Sequence, residues 1–178
     1  MKNVIIISST PRINGNSELL AKEFGRGAVD SGHNVEIINL RDYDLKYCIG
    51  CYACHSTGKC IHKDGMNELS EKLLKADVIV LATPVYFYSM SGQLKSFIDR
   101  LVPIYTKIKA DIYLIATQWD SYEENMEKVF EAIRGCTLDC LEGCEEKGVI
   151  YGVGLDDAGE VEKNKELMMQ AYNMGKGV

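Results

Sequence analysis

Four cysteines fall within thirteen residues, Cys48-Ile49-Gly50-Cys51-Tyr52-Ala53-Cys54 and then Cys60 after a five-residue spacer. Thiolates at C-x2-C-x2-C-x5-C spacing can converge on one soft centre, an iron–sulfur cluster or zinc, because two intervening residues let the chain fold back and aim consecutive sulfurs at a common point. Free Cys is also a small hydrophobe that packs well in loops, so bare thiols are the third reading of the same spacing. His55 and His62 lie within reach of the loop and read as bystanders rather than ligands. A second group, Cys136, Cys140 and Cys144, recurs every fourth residue near a helix end that Gly143 would close. Helical spacing puts the first two on one face, and buried packing is the expectation for them. Met126, Met168, Met169 and Met174 read as core or interface fillers.

Two other stretches carry chemistry. Ser8-Ser9-Thr10-Pro11-Arg12-Ile13-Asn14-Gly15-Asn16-Ser17 joins a strand to a helix with hydroxyls, amides, one arginine and a glycine. Unpaired helix N–H groups and the positive end of the dipole attract phosphate, and Arg12 can add a charge-assisted contact. The plainer alternative is that Asn16 or Ser17 merely caps the helix. Neither G-x-x-x-x-G-K-[ST] nor G-x-G-x-x-G occurs here, so a monophosphate fits better than a pyrophosphate. Thr83-Pro84-Val85-Tyr86-Phe87-Tyr88-Ser89-Met90-Ser91-Gly92 carries three consecutive aromatics off the end of another strand. They either plug the strand end or offer flat faces to a planar heterocycle. Together the two stretches imply a phosphorylated planar cofactor.

The bulk properties narrow the partners. The 178 residues are 46% hydrophobic, enough for one domain with an ordinary core. A formal charge of −6 argues against nucleic acid or an anionic membrane as the main partner. The N-terminal apolar run, Val4–Ile7, is too short for a signal peptide or a membrane span. The expectation is a cytoplasmic protein whose seven cysteines serve metal or redox chemistry rather than a disulfide framework.

The elements that must position these residues alternate along the chain. Nearly continuous apolar runs predict strands at residues 3–8, 34–39, 77–83, 111–117 and 148–153, as in a parallel sheet covered on both faces. Helical periodicity predicts helices at 17–30, 66–76, 92–105, 122–141 and 160–174. This alternation predicts an α/β doubly wound five-stranded parallel sheet in three layers, order 2-1-3-4-5. Its ligand crevice lies beyond the C-terminal strand ends, where the strand order reverses. The phosphate-like, aromatic and cysteine loops all leave that edge. Lys95, Asp99 and Arg100 read as helix-surface ion pairing.

Residues 9–17 together with 82–100 resemble the NADPH-dependent FMN reductase family, on the flavodoxin-like fold. The resemblance spans most of the chain, read as one FMN-binding domain over 1–178 with a cysteine-rich loop at 48–60. It implies FMN, with its phosphate held by Ser9, Thr10, Arg12, Asn14, Asn16 and Ser17. It also implies that Pro84, Val85, Tyr86 and Phe87 line the isoalloxazine, with Thr117 and Gln118 closing the third side. No side-chain acid or base is demanded, because the flavin carries the chemistry. The cysteine spacing resembles the iron–sulfur flavoprotein branch, which would make Cys48, Cys51, Cys54 and Cys60 ligands of a four-iron four-sulfur cluster. The expected function is electron transfer from NAD(P)H or a reduced ferredoxin-like donor to a small-molecule acceptor such as a quinone or flavin. The alternatives are a flavin electron carrier or redox sensor without a substrate, and a zinc-stapled binding module. Apolar Tyr86–Met90, and the habit of the family, imply a homodimer or homotetramer.

Overall fold

The computed structural model describes residues 1–178. Strands β1 (Asn3–Ser8), β2 (Asn34–Asn39), β3 (Val78–Tyr86), β5 (Asp111–Thr117) and β6 (Glu145–Gly152) form the parallel sheet, and β4 (Ser89–Met90) is a short antiparallel addition to β3. The order is β2-β1-β3-β5-β6, which is 2-1-3-4-5 when the parallel strands are counted among themselves. This is the expected flavodoxin-like arrangement, and it places the reversal of strand order between β1 and β3.

Both faces of the sheet are covered, which explains why its central strands read as unbroken apolar runs. On one face α1 (Asn16–Asp30) and α6 (Lys165–Lys176) contribute Leu20, Phe24, Ala28, Leu167 and Ala171 to a core with Val4, Ile6, Val78 and Val80. The two helices meet closely: a Cβ on Gly175 would stand 1.9 Å from the carbonyl of Phe24, so only glycine fits that crossing. On the other face α3 (Met66–Leu73), α4 (Gly92–Asp99) and α5 (Glu127–Thr137) pack Leu69, Phe97 and Phe130 over Ile5, Ile7, Ile79 and Leu114. Helix α2 (Ala53–Thr57) is one short turn inside the cysteine loop and has no counterpart in the expected elements. No helix is long and apolar enough to cross a membrane.

Several boundaries differ from the sequence expectation. Helix α4 stops at Asp99 rather than 105, because Pro103 cannot occupy a helix interior and restrains the residue before it. The expected helix at 122–141 resolves into a 3-10 turn, Glu123–Asn125, followed by α5. Likewise the expected helix at 160–174 divides into a 3-10 turn, Glu160–Lys163, and α6. Strand β6 begins three residues earlier than its apolar run, through Glu145-Glu146-Lys147 at the open edge of the sheet, where charged residues discourage further pairing.

Candidate functional site

The loop between β1 and α1 closes on the uncapped start of a helix. Gly15 is the N-cap residue, and no side chain caps the helix. The simple capping alternative for Asn16 and Ser17 therefore does not hold. A Cβ on Gly15 would lie 2.7 Å from Thr10 Oγ1, so the backbone is drawn in tightly around this end. Such a tight loop over free N–H groups is the geometry that receives an anion.

The expected loop residues divide by what their side chains already do. Ser17 is buried and its hydroxyl has no partner. Ser8, in the same stretch but not among the residues expected to hold the phosphate, is equally buried with a free hydroxyl, and it shares the α1 face of β1 with Val4 and Ile6. Ser9 is different: its hydroxyl donates to the Ala82 carbonyl at 3.0 Å and accepts from Ser91 at 2.9 Å, bracing β1 against β3 and the start of α4. Thr10 accepts the Arg12 amide at 3.2 Å, and exposed Arg12 donates to the Asp156 carbonyl at 2.9 Å. Asn14 sits at φ 54°, accepts Lys22 at 3.2 Å and donates its amide to Glu18 at 3.0 Å.

Asn16 joins two loops. Its Nδ2 donates to the Asp157 carbonyl at 2.9 Å, and its Oδ1 accepts the Val161 amide at 3.1 Å. The segment after β6 is thereby tied to the first loop. Beneath them lies buried Glu18. Burial raises the pKa of this carboxyl, but hydrogen bonds from Arg41 and Lys22 outweigh it and hold it below the ordinary value.

The second wall is built from β3 and β5. Pro84 is opposite Thr117 in register, and both are buried at the C-terminal ends of their strands. Gln118 follows, with Nε2 donating to the Tyr122 carbonyl at 2.8 Å and a buried Oε1 left without a partner. Val85 is partly buried against the core, whereas Tyr86, Phe87 and Tyr88 are exposed. The aromatics form a hairpin rather than a loose loop: Tyr86 pairs with Ser89, and Phe87 and Tyr88 sit at φ 50° and 58°. Two bulky residues at positive φ is an uncommon turn. Phe87 is wholly exposed at its tip, and Lys128 lies 5.0 Å over the Tyr88 ring.

The four loop cysteines line one pocket of about 130 Å³, with Ile49, Ile61, His62 and Val102 completing its mostly apolar wall. The backbone around them takes positive φ at Gly50, Tyr52 and Gly58, which bends the chain around the pocket. No three His, Cys, Asp or Glu side chains gather at single-ion distance. His55 instead packs its ring edge-on to Tyr52.

Below the pocket lies a group that the sequence reading put on the surface. Lys95 and Asp99 do pair on the exposed face of α4 at 2.6 Å, but Arg100 is only 1% exposed. It donates to both oxygens of Asp64 at 2.9 Å and to the Lys46 carbonyl at 2.5 Å. Burial raises the Asp64 pKa, yet Arg100 and the amides of Lys46 and Met66 bring it down to about 2.

The second cysteine group is only partly the buried helix packing expected of it. Cys136 belongs to α5 and is half-buried against the core, with burial and then its neighbours Cys140 and Cys144 pushing its thiol up to about 11. Cys140 lies beyond the helix and is exposed.

Residues 1–118 match the model of the NADPH-dependent FMN reductase family. An iron-sulfur flavoprotein from Methanocaldococcus jannaschii is 43% identical over 101 residues, 57% of this chain and 52% of that protein. One from Archaeoglobus fulgidus is 36% identical over 103 residues, 58% of this chain and 46% of that protein. The chain spans about half the length of the curated relatives it matches. An NAD(P)H:quinone oxidoreductase from Methanothermobacter marburgensis shares the fold with a TM-score of 0.75 at 19% identity, over 99% of this chain and 96% of that one. With its family match and its sheet order in agreement, the chain belongs to the NADPH-dependent FMN reductase family.

Proposed function

We propose that the chain is an FMN-dependent oxidoreductase that takes electrons from NAD(P)H or a ferredoxin-like protein and delivers them to a small-molecule acceptor such as a quinone or flavin. The observation that carries this reading is the pair of buried, unpartnered hydroxyls on Ser8 and Ser17 beside the uncapped start of α1. Buried polar groups are seldom left unpaired, and a phosphate would satisfy both along with the helix N–H groups. FMN supplies the electron chemistry when bound. The residues hold and orient it: the 9–17 loop takes the phosphate, with Ser9 and Asn16 acting through bracing rather than direct side-chain contact. Pro84, Val85, Tyr86, Phe87, Thr117 and Gln118 border the ring, where the free Gln118 Oε1 can accept from a ring N–H.

The cluster reading is supported by four cysteines lining one mostly apolar pocket, the sulfur-only donor set that iron–sulfur clusters take. Cys48, Cys51, Cys54 and Cys60 would hold a four-iron four-sulfur cluster there, allowing one-electron delivery to a flavin that reacts in two-electron steps. Cys48 and Cys51 are exposed, which favours a protein donor docking on this side. The test is an anaerobic preparation assayed for FMN, iron and sulfide, followed by NAD(P)H oxidation with a quinone acceptor. Absence of FMN, with none bound on titration, refutes the oxidoreductase. FMN with zinc, or with no metal, refutes only the cluster.

A further inference from the structure

Arg100 is the largest fully buried side chain, and its position is unusual for a guanidinium. It stands at the C-cap of α4 and reaches beneath the cysteine loop. Burying a cation is costly unless it is paired and fully hydrogen-bonded. Nη1 and Nη2 meet that condition through Asp64 and the Lys46 carbonyl. The third donor does not, for Nε is buried with no partner in the protein. The residues Arg100 engages are the two that bracket the cysteine run, Lys46 before Cys48 and Asp64 after Cys60. Asp64 also accepts the Lys46 amide at 3.0 Å and the Met66 amide at 3.2 Å, so the neck of the loop is cross-tied to one guanidinium. On the pocket side His62 has a buried Nε2, likewise without a partner.

We propose that Arg100 is a positioning and tuning residue for the cysteine site: it closes the neck of the loop and fixes a buried positive charge beside it. This rests on the reading of Cys48, Cys51, Cys54 and Cys60 as cluster ligands. A one-electron reduction of that site, by the ferredoxin-like donor or the flavin, adds one negative charge and breaks no bond. A fixed buried cation at the neck of the loop stabilises the added charge and raises the reduction potential. Four thiolates ringed mainly by apolar side chains would otherwise resist reduction. Arg100 therefore sets whether the site accepts electrons from the donor, in addition to holding it together.

Redox titration of the anaerobically purified holoprotein, with iron content and trypsin cleavage at Lys59 and Lys63 measured in parallel, tests this. Arg100→Gln is expected to lower the cluster midpoint by about 59 mV, a tenfold change in a one-electron equilibrium. It should also speed cleavage of the loop. Arg100→Lys keeps a charge but cannot make the forked pair with Asp64 and the bond to the Lys46 carbonyl together, so it should give a smaller downward shift. Lys95→Gln, on the exposed face of the same helix, should match wild type. A role confined to holding the fold would lower iron content or melting temperature without moving the potential of the cluster that remains. Wild-type potentials in both Arg100 variants overturn the proposal, and if Arg100→Gln fails to fold, a wild-type potential in Arg100→Lys does so alone. Wild-type protein without iron and sulfide refutes the cluster reading, and this proposal with it.

Discussion

Glu18 and Arg41 form a forked ion pair, at 2.8 and 3.1 Å, directly beneath the first turn of α1. An acid beside a phosphate site would be unfavourable on its own. Here Arg41 and Lys22 neutralise it, and its carboxylate is free to accept the Asn14 amide and fix the turn of the loop. Glu18→Gln should cost roughly 2 kcal/mol of stability and weaken FMN binding, since a buried charged hydrogen-bond network is broken. Because the pKa is depressed in the folded protein, this contribution is present above the ordinary value of 4.5 and fades as pH falls below it. Urea unfolding of wild type and variant across the acid range checks this: the two curves should converge as the pH drops.

Ser17 and Asn16 should separate binding from stability. Ser17 Oγ has no partner to lose, so Ser17→Ala should leave the melting temperature unchanged and weaken FMN about tenfold, the worth of one hydrogen bond. Asn16→Ala removes both ties to the loop after β6, and should lower stability and affinity together. Calorimetric titration and thermal melts of the two variants check the contrast.

The hairpin tip carries a local cost. Phe87 is wholly exposed at φ 50°, where glycine is favoured by about 1 kcal/mol over other residues. Phe87→Gly should therefore raise the melting temperature while slowing quinone reduction or weakening FMN, because strain of this kind is kept where a site uses it. A stable variant with unchanged flavin binding and turnover would leave Phe87 outside the site.

Acid should also loosen the cysteine loop. Asp64 titrates near 2 in the folded protein against 3.8 when free, so its pairing contributes roughly 2 kcal/mol that is fully present above about pH 4 and lost as pH falls toward 2. In Asp64→Asn this pH dependence should vanish, leaving a less stable loop at every pH. Hydrogen exchange of residues 46–64 reads it directly.

What the sequence disclosed follows from the range of each signal. The parallel sheet was legible because Val78-Ile79-Val80-Leu81-Ala82 and Ile112-Tyr113-Leu114-Ile115-Ala116 are apolar on both faces, a local pattern. The loops of 9–17 and 83–92 were legible through composition. Arg100 was not, since an arginine at a helix end usually lies in water and its partners Lys46 and Asp64 are distant in sequence. The role of Ser8 was hidden for a related reason: it ends an apolar strand, and only the geometry leaves its hydroxyl buried and free. The start of β6 was missed because edge strands carry charges that hide the strand period.

The central claim is that the crevice between β1 and β3 holds FMN, and titration of flavin-free protein with FMN tests it most directly. The account predicts saturable quenching of flavin fluorescence at one FMN per chain, weakened in Ser17→Ala. Unchanged flavin fluorescence throughout the titration would contradict it.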